Sequence, residues 1–303
     1  MKGKYNMKKV GVVGLGNMGM GIAKNLIKDG YETTGFDLRE SCLKELINNG
    51  GNAAESVEKV GEICDVAFVM VMNGAQVEDV VTKLSLGVKN KGTIIITATI
   101  TPEEVKKAYK IAKKSNIKMI DSPVSGGLQG AHEGTLTLMS AAEDEVLNDC
   151  KAILESISKN MFHVGINIGD GQTVKASLQV FIGATFTAIF ESLVLGAKAG
   201  IDGKTLYDVF SSSGVSSPLF KNCAKLIMDR KFENTGSHIS TMYKDLGISM
   251  DMAKQNGVPM FTAAAAFELF QAGISMYPEG DNWSIVKLLE KMADTKVEWK
   301  NNN

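Results

Sequence analysis

The sequence predicts an α/β fold in which a doubly wound, mostly parallel sheet is followed by an all-α C-terminal domain that opens with a long interdomain helix. Three observations predict this arrangement. Short apolar runs alternate with helix-like stretches over the first half of the chain, which is typical of a parallel sheet covered by helices. A glycine-rich turn follows the first run, and past residue 170 the strand-like runs stop. We therefore expect two domains, residues 1–168 and 169–303.

The turn after the first apolar run is the most informative motif. Val10–Val13 has strand character, and GLGNMG at residues 14–19, here called the glycine turn, leads into apolar residues at helical spacing. Gly14 permits a sharp turn, Gly16 lets the backbone approach a pyrophosphate, and Gly19 lets the helix pack on the strand. The helix start offers N–H groups to phosphates. We predict a Rossmann NAD-binding domain whose dinucleotide is contacted by Gly14, Leu15, Gly16, Asn17, Met18 and Gly19.

The next strand favours NAD over NADP. The expected second strand, Tyr31–Phe36, is followed by Asp37, about 20 residues beyond the glycines, as in dinucleotide-binding domains. A carboxylate here accepts hydrogen bonds from ribose hydroxyls and repels a 2′-phosphate. Arg39 is close enough to weaken this preference. A glycine-rich turn in another α/β protein is the alternative, which the order of strand, turn, helix and acid disfavours.

The elements that follow place several polar residues at one edge of the sheet. The expected strands are 66–72, 93–97 and 117–121, and the expected helices are 39–49, 75–84 and 102–115. Thr101 is the expected cap of the last helix. Parallel strands bind ligands at their carboxyl ends, where Asn73, Thr99 and Asp121 fall. Met72 and Asn73 are counted among the cofactor contacts.

A second glycine-rich stretch, residues 121–137, follows the last predicted strand. Within it Ser125-Gly126-Gly127, here called the SGG segment, offers one hydroxyl and backbone N–H groups that no side chain obstructs. This combination suits a bound carboxylate. An ordinary loop is the alternative that the residues alone leave open.

The second half of the chain has helical spacing throughout. Residues 172–200 are rich in Ala, Leu, Ile and Phe, and they predict one long helix. The small residues on this helix are consistent with packing against another subunit or within the chain. Further helices are expected at 203–212, 218–229, 240–256, 262–273 and 282–292, with the domain boundary between residues 167 and 171.

Composition excludes several classes of protein. The 303 residues carry a formal net charge of −1, so no basic excess points to nucleic acid. The apolar runs are interrupted by polar residues, and we expect a cytoplasmic protein without a membrane span. The four cysteines and three histidines show no spacing typical of a disulfide framework or a metal site. No metal is expected.

Lys175 and Gln179 are candidates for chemistry at the start of the long helix. They are four residues apart and therefore share a helix face. A catalytic lysine needs a cleft that lowers its pKa, whereas most helical lysines are solvated. Lys244, at the start of a later helix, has the same alternative. Spacing alone therefore leaves both interpretations open.

Four motifs resemble those of the β-hydroxyacid dehydrogenases, which include 3-hydroxyisobutyrate dehydrogenase, tartronate semialdehyde (2-hydroxy-3-oxopropionate) reductase and threonate dehydrogenases. They occur in that family's order and spacing and cover nearly the whole chain. The motifs are GLGNMG at 14–19, DSPVSGGLQGAHEGTLT at 121–137, GDGQTVK at 169–175 and KDLGISMDMA at 244–253.

The resemblance implies a role for each matching residue. Lys175 matches the family's catalytic lysine, the SGG segment (Ser125, Gly126, Gly127) matches its carboxylate-binding segment, and Thr99 and Lys244 match residues beside the nicotinamide. The family usually has asparagine one turn after the lysine, where this chain has Leu178 and Gln179. Gln179 and residues 280–283 are more similar to the threonate branch.

The resemblance therefore implies hydride transfer between NAD and a small carboxylate-bearing substrate, with Lys175 as general acid/base and Gln179 beside the reacting hydroxyl. The substrate is a hydroxy acid, such as the four-carbon threonate. Alternatives are 3-hydroxyisobutyrate or 2-hydroxy-3-oxopropionate, an imine reductase, which Lys175 disfavours, and a non-catalytic NAD(P)-binding module. The family is commonly dimeric or tetrameric, so we expect a homodimer or homotetramer.

Overall fold

The computed structural model describes residues 8–87 and 92–299. The chain divides into two compact units, Met1–Lys175 and Ala176–Asn303, here called the N-terminal and C-terminal units. This division falls inside the long helix. The domain limits 1–168 and 169–303 remain a prediction.

The N-terminal unit contains a nine-stranded sheet and its covering helices, as far as the described residues show. In chain order its elements are β1 (Val10–Val13), α1 (Asn17–Lys28), β2 (Thr33–Phe36), α2 (Glu40–Asn48), β3 (Asn52–Ala53), α3 (Val57–Ile63), β4 (Val66–Val69), α4 (Gly74–Gly87), β5 (Thr93–Ile96), α5 (Pro102–Lys114), β6 (Lys118–Asp121), β7 (Val124–Ser125), α6 (Gly127–Glu133), β8 (Leu136–Ala141), α7 (Asp144–Glu155) and β9 (Ser158–Gly165).

The strand order is β3-β2-β1-β4-β5-β6-β8-β7, and β9 pairs with β8. The first six strands of this order are parallel to one another, and β8 is antiparallel to β6 and β7. The strand order reverses beside β1, so the glycine turn after β1 lies at the position where such sheets bind ligands. The predicted doubly wound, mostly parallel sheet is confirmed.

Successive residues of the central strands pack into two separate cores. In β4, Val66 and Phe68 belong to one apolar cluster, and Ala67 and Val69 belong to the other. Because side chains alternate between the faces of a strand, a strand buried on both faces must be apolar at every position. This explains why the central strands have continuous apolar sequences.

The sequence-based assignment missed several short elements. β3, α3 and everything from β7 to β9 were not predicted, although the other strands and helices were. The glycine-rich stretch of residues 121–137 forms β7, α6 and the start of β8 instead of one loop. Two-residue strands and seven-residue helices are too short for a periodic pattern to identify. The predicted cap of α5 is confirmed, because Thr101 Oγ1 accepts a hydrogen bond from Glu104 N.

The helix α8 (Asp170–Lys198) begins at the end of the N-terminal unit, and the described residues of the C-terminal unit are helical apart from their connections. The remaining elements are α9 (Gly203–Ser212), α10 (Pro218–Met228), α11 (Ile239–Gln255), α12 (Phe261–Met276), a 3₁₀ turn (Asn282–Ser284) and α13 (Ile285–Ala293). The core includes Phe186 and Phe190, whose rings stack with centroids 6.0 Å apart. The predicted all-α C-terminal domain is confirmed.

The apolar character of α8 exceeds the sequence-based expectation. Among the described residues it is one helix of sufficient length and hydropathy to cross a membrane, with a mean hydropathy of 1.8 over its most apolar window. The expectation that polar residues interrupt every apolar run before it could span a membrane is therefore wrong. Core helices of soluble proteins meet the same criterion, and 39% of the window is buried inside the protein.

Candidate active site

The glycine turn has no space for side chains at two of its three glycines. A Cβ atom on Gly14, whose φ is +90°, would lie 2.3 Å from the carbonyl oxygen of Met70. A Cβ atom on Gly19 would lie 1.8 Å from the carbonyl oxygen of Gly14. At Gly16 the nearest atom is Nη2 of Arg39 at 3.6 Å, so this face is open. The backbone therefore provides a cradle that a ligand can approach closely.

The start of α1 has no side-chain cap. Gly16 is the N-cap residue, and it has no side chain that could accept a hydrogen bond from the first turn. The first N–H groups of a helix lack partners within it and carry partial positive charge. The uncapped turn and the open face at Gly16 fit the pyrophosphate of a nicotinamide dinucleotide. Asn17 is exposed and Met18 is half-buried in this turn.

Asp37 lies beside the glycine turn and is tied to it. Its Oδ2 atom accepts a hydrogen bond of 2.8 Å from Leu15 N, and Oδ1 accepts one of 2.9 Å from Arg39 N. The guanidinium of Arg39 donates to both oxygens, at 3.0 and 3.1 Å. Burial raises the pKa of Asp37, but hydrogen bonds from the side chain and backbone of Arg39 and from Leu15 outweigh it, so the pKa is below its usual value. The structure thus brings Asp37 and the glycine turn together.

Met72 and Asn73 follow β4 at the carboxyl edge of the sheet, and both are exposed. Asn73 Oδ1 accepts a hydrogen bond from Gln76 N, and Gln76 Oε1 accepts one from Met72 N. The Asn73 side-chain oxygen therefore caps α4.

The SGG segment connects β7 to α6 and is accessible. Ser125 is half-buried, and Gly126 and Gly127 are exposed with φ values of +131° and +61°. Residues other than glycine rarely adopt these backbone conformations, which accounts for the two glycines.

Asn25 connects α1, the helix that begins in the glycine turn, to α6, the helix that begins in the SGG segment. Its Nδ2 atom donates hydrogen bonds of 2.9 Å to Gly21 O on α1 and 2.8 Å to Ala131 O near the end of α6. A Cβ atom on Gly21 would lie 2.7 Å from the Ala131 carbonyl, so the two helices are in backbone contact. Asn25 is a buried polar residue that sequence reasoning missed, since its position within α1 resembles that of any helical asparagine.

Lys175 is buried, with an exposed fraction of 6%. In the described part of the chain no other lysine is buried. A lysine is seldom buried unless its charge is compensated or used. Lys175 is therefore not the solvated surface lysine that the sequence left open as an alternative.

Asp121 and Gln172 form a buried polar network between the end of β6 and the first turn of α8. Asp121 Oδ2 accepts hydrogen bonds from Gly169 N at 2.9 Å and Gln172 N at 3.2 Å. Burial raises the pKa of Asp121 to about 6, and the N–H groups of Gln172, Gly169 and Gly171 limit this rise. Sequence reasoning noted Asp121 as a strand end but did not identify the network. The two residues are 51 positions apart in the sequence, so no local pattern identifies the network.

A second buried network lies in the C-terminal unit. Gln179, 5% exposed, donates a hydrogen bond through Nε2 to Asp245 Oδ2. Asp245, 3% exposed, also forms an ion pair of 3.0 Å through Oδ1 with Lys244 Nζ. The structure thus connects the predicted residues Gln179 and Lys244 through Asp245. Sequence reasoning placed Asp245 only beside Lys244, because its burial depends on how α8 packs on α11.

Over residues 8–87 and 92–299, no group of three or more His, Cys, Asp or Glu side chains is arranged to hold a metal ion. The four cysteines are free thiols.

Comparison with known proteins identifies the class. Residues 9–165 match the family described as the NAD-binding domain of 6-phosphogluconate dehydrogenase. Residues 169–289 match the family described as NAD-binding of NADP-dependent 3-hydroxyisobutyrate dehydrogenase. The first match contains the cradle at the glycine turn. The protein is a nicotinamide-cofactor dehydrogenase.

Individual relatives extend over nearly the full length. The chain is 33% identical to 2-(hydroxymethyl)glutarate dehydrogenase of Eubacterium barkeri, over 95% of this chain and 97% of the relative. It is 29% identical to L-threonate dehydrogenase of Cupriavidus necator, over 93% and 96%. A crystal structure of 3-hydroxyisobutyrate dehydrogenase from Salmonella typhimurium has a TM-score of 0.86 at 29% identity, over 93% and 99%. The chain therefore belongs to the β-hydroxyacid dehydrogenase family.

Proposed function

We propose that this protein is an NAD-dependent dehydrogenase of a small hydroxy acid, in which Lys175 is the general acid/base. The observation that carries the proposal is the burial of Lys175 near the start of α8, with an exposed fraction of 6%. The same unit contains a glycine turn that fits a dinucleotide. When bound, the nicotinamide supplies a hydride acceptor or donor at C4. The protein supplies the proton transfer.

Each proposed role follows from the chemistry of its residue. In oxidation, the neutral amine of Lys175 accepts the hydroxyl proton as charge develops on the oxygen, and in reduction its ammonium form returns that proton. The SGG segment holds the substrate carboxylate through the Ser125 hydroxyl and backbone N–H groups. Fixing the carboxylate orients the carbinol carbon. Thr99 and Lys244 would lie beside the nicotinamide.

The orientation of Gln179 supports a polyhydroxylated substrate. The amide nitrogen of Gln179 donates a hydrogen bond to Asp245 Oδ2, so the amide oxygen faces away from this carboxylate. The amide oxygen then remains for a ligand, and it accepts a hydrogen bond from a substrate hydroxyl. This favours a four-carbon sugar acid such as threonate over 3-hydroxyisobutyrate, whose single hydroxyl is the reacting one. A second substrate carboxylate at this oxygen would be repelled.

Asp37 supports NAD over NADP as the cofactor. Its carboxylate faces the glycine turn and repels a 2′-phosphate, while the ribose hydroxyls of NAD would donate to it. Arg39 reduces this preference because its guanidinium holds the same carboxylate.

We further propose a cytoplasmic homodimer or homotetramer. Exposed apolar side chains on α8, such as Phe181 and Leu195, with exposed fractions of 69% and 72%, support contact with another subunit. The formal net charge of −1 offers no electrostatic attraction for nucleic acid.

The test is an oxidation screen with NAD and NADP that compares kcat/KM. Its substrates are threonate, erythronate, glycerate, 3-hydroxyisobutyrate and 2-(hydroxymethyl)glutarate, with 2-hydroxy-3-oxopropionate in the reduction direction. We expect the highest kcat/KM for a four-carbon acid with NAD. Preference for another acid would contradict the substrate assignment, and no turnover of any would favour a non-catalytic NAD(P)-binding module.

A further inference from the structure

Two buried side chains, Asp121 and Gln172, join three segments of the N-terminal unit that carry predicted site residues. Their exposed fractions are 0% and 1%. Burying a polar group is unfavourable unless hydrogen bonds compensate for lost water. The partners of this pair therefore show which parts of the chain it holds together.

The amide of Gln172 holds the backbone on both sides of Thr99. Its Nε2 atom donates a hydrogen bond of 3.0 Å to the carbonyl of Ala98, and its Oε1 atom accepts one of 3.1 Å from Ile100 N. The same Nε2 atom donates to Asp121 Oδ1 at 2.9 Å. One side chain thus connects the segment after β5, the end of β6 and the start of α8.

The carboxylate of Asp121 holds the first turn of α8 from the strand side. It accepts hydrogen bonds from the N–H groups of Gly169 and Gln172, which lie six and three residues before Lys175. A Cβ atom on Gly171 would lie 2.6 Å from the carbonyl oxygen of Met139 and 2.8 Å from that of Asp121. Only glycine therefore allows this turn to pack directly on the strand ends.

We propose that Asp121 and Gln172 are positioning residues that hold Lys175 in a fixed place relative to the Thr99 segment. This inference rests on the proposed function, since it takes Lys175 as the proton-transfer group. Displacing a reacting group by about 1 Å, even from a distant substitution, can cost about 10²-fold in rate. Loss of the network should therefore lower kcat without removing any group that contacts the reactants.

The donors and acceptors of the network have a defined direction. Asp121 meets only donors: two backbone N–H groups at one oxygen and the Gln172 amide nitrogen at the other. An asparagine at this position has one acceptor and one donor. In either orientation its nitrogen faces a donor, so the Asp121→Asn variant loses part of the network although its shape is unchanged.

The experiment compares Asp121→Asn and Gln172→Met with the wild-type enzyme. We expect kcat to fall by about 10- to 100-fold. The Kd of NADH, measured by fluorescence titration, should change less than about twofold, since the network makes no hydrogen bond with the glycine turn or Asp37. Amide hydrogen exchange of the free protein supplies a readout without turnover, and residues 169–175 should exchange faster in both variants.

Glu290→Gln is the matched control. Glu290 is 5% exposed and accepts hydrogen bonds from Arg230 and from Val297 N in the C-terminal unit. Like Asp121→Asn, this change replaces a buried carboxylate by an amide of the same shape. We expect a lower melting temperature and wild-type kcat per folded enzyme.

The outcomes separate this inference from the proposed function. Wild-type enzyme without turnover of any hydroxy acid would overturn both. An active wild type, with variants whose kcat equals that of Glu290→Gln, would overturn the positioning role alone. Should Asp121→Asn not fold, Gln172→Met decides the question by the same measurements, because methionine keeps the side-chain volume.

Discussion

Two buried carboxylates, Asp121 in the N-terminal unit and Glu290 in the C-terminal unit, have similar surroundings and different significance. Both are at most 5% exposed, and both accept a backbone N–H group together with a side-chain donor. Glu290 is paired with the cation Arg230, whereas Asp121 meets the neutral amide of Gln172. Burial without a cation raises the pKa of Asp121 to about 6.

The difference between the two lies in what their partners carry. Glu290 joins α13 to the chain near Val297 and to Arg230, where no predicted site residue lies. Asp121 and Gln172 join the segment that contains Thr99, the end of β6 and the first turn of α8, the helix that contains Lys175. Burial and hydrogen bonding alone therefore do not identify a functional residue. A functional residue is identified by which segments of the chain it connects.

The largest expected effect is that of replacing Lys175, the residue that Asp121 and Gln172 are proposed to position. Lys175→Met should lower kcat by about 10²–10⁴-fold, because general acid/base catalysis contributes about this factor. The Kd of NADH should stay near its wild-type value. Steady-state kinetics and a fluorescence titration measure the two quantities. Loss of NADH binding together with turnover would mean that Lys175 supports the fold or the cofactor, and the distinction between Asp121 and Glu290 would disappear.

A smaller effect concerns the pH dependence of stability. In the unfolded chain Asp121 has a pKa near 3.8, and in the folded protein it is about 6. The folded state therefore holds a proton that the unfolded state has lost between these values. The stability contributed by this proton is fully present below pH 3.8 and is lost as the pH rises through 6.

We therefore expect the unfolding free energy of the wild type, relative to Asp121→Asn, to fall by about 2 kcal/mol from pH 4 to pH 7. Urea unfolding of both proteins across this range measures the difference, in which other titrating groups cancel. A constant difference would show that Asp121 ionises in the folded protein as it does in the unfolded chain. The contrast with a cation-paired carboxylate would then fail.

The smallest effect concerns Arg39, an exposed cation that pairs with the carboxylate Asp37. Arg39→Ala should lower kcat/KM for NADP about tenfold, equivalent to about 1.4 kcal/mol, because a guanidinium pairs with a 2′-phosphate. The value for NAD should not fall, since Asp37 keeps its place through Leu15 N. Lys44→Ala, which removes another surface cation paired with a carboxylate, is the control. Equal loss with both cofactors would contradict this role of Arg39.

Several features could be predicted from local sequence because their causes are local. Gly14 is required by its φ of +90°, Gly19 by its contact with the Gly14 carbonyl, and the Thr101 cap lies three residues from its partner. The continuous apolar strands and the helices after residue 200 were predicted from periodicity. The short elements between residues 124 and 165 were not, because β7 and β9 pair with β8 and have little pattern of their own.

The sequence by itself determined the fold class, the dinucleotide turn, the acid at the end of β2 and the motifs that define the family. These features depend on residue types at short spacings, where backbone geometry leaves few alternatives. Only the tertiary structure decided that Lys175 is buried, that Gln172 reaches both sides of Thr99, and that Asp245 orients Gln179. Those contacts join residues 66 to 74 positions apart, and no local pattern encodes burial produced by the packing of distant segments.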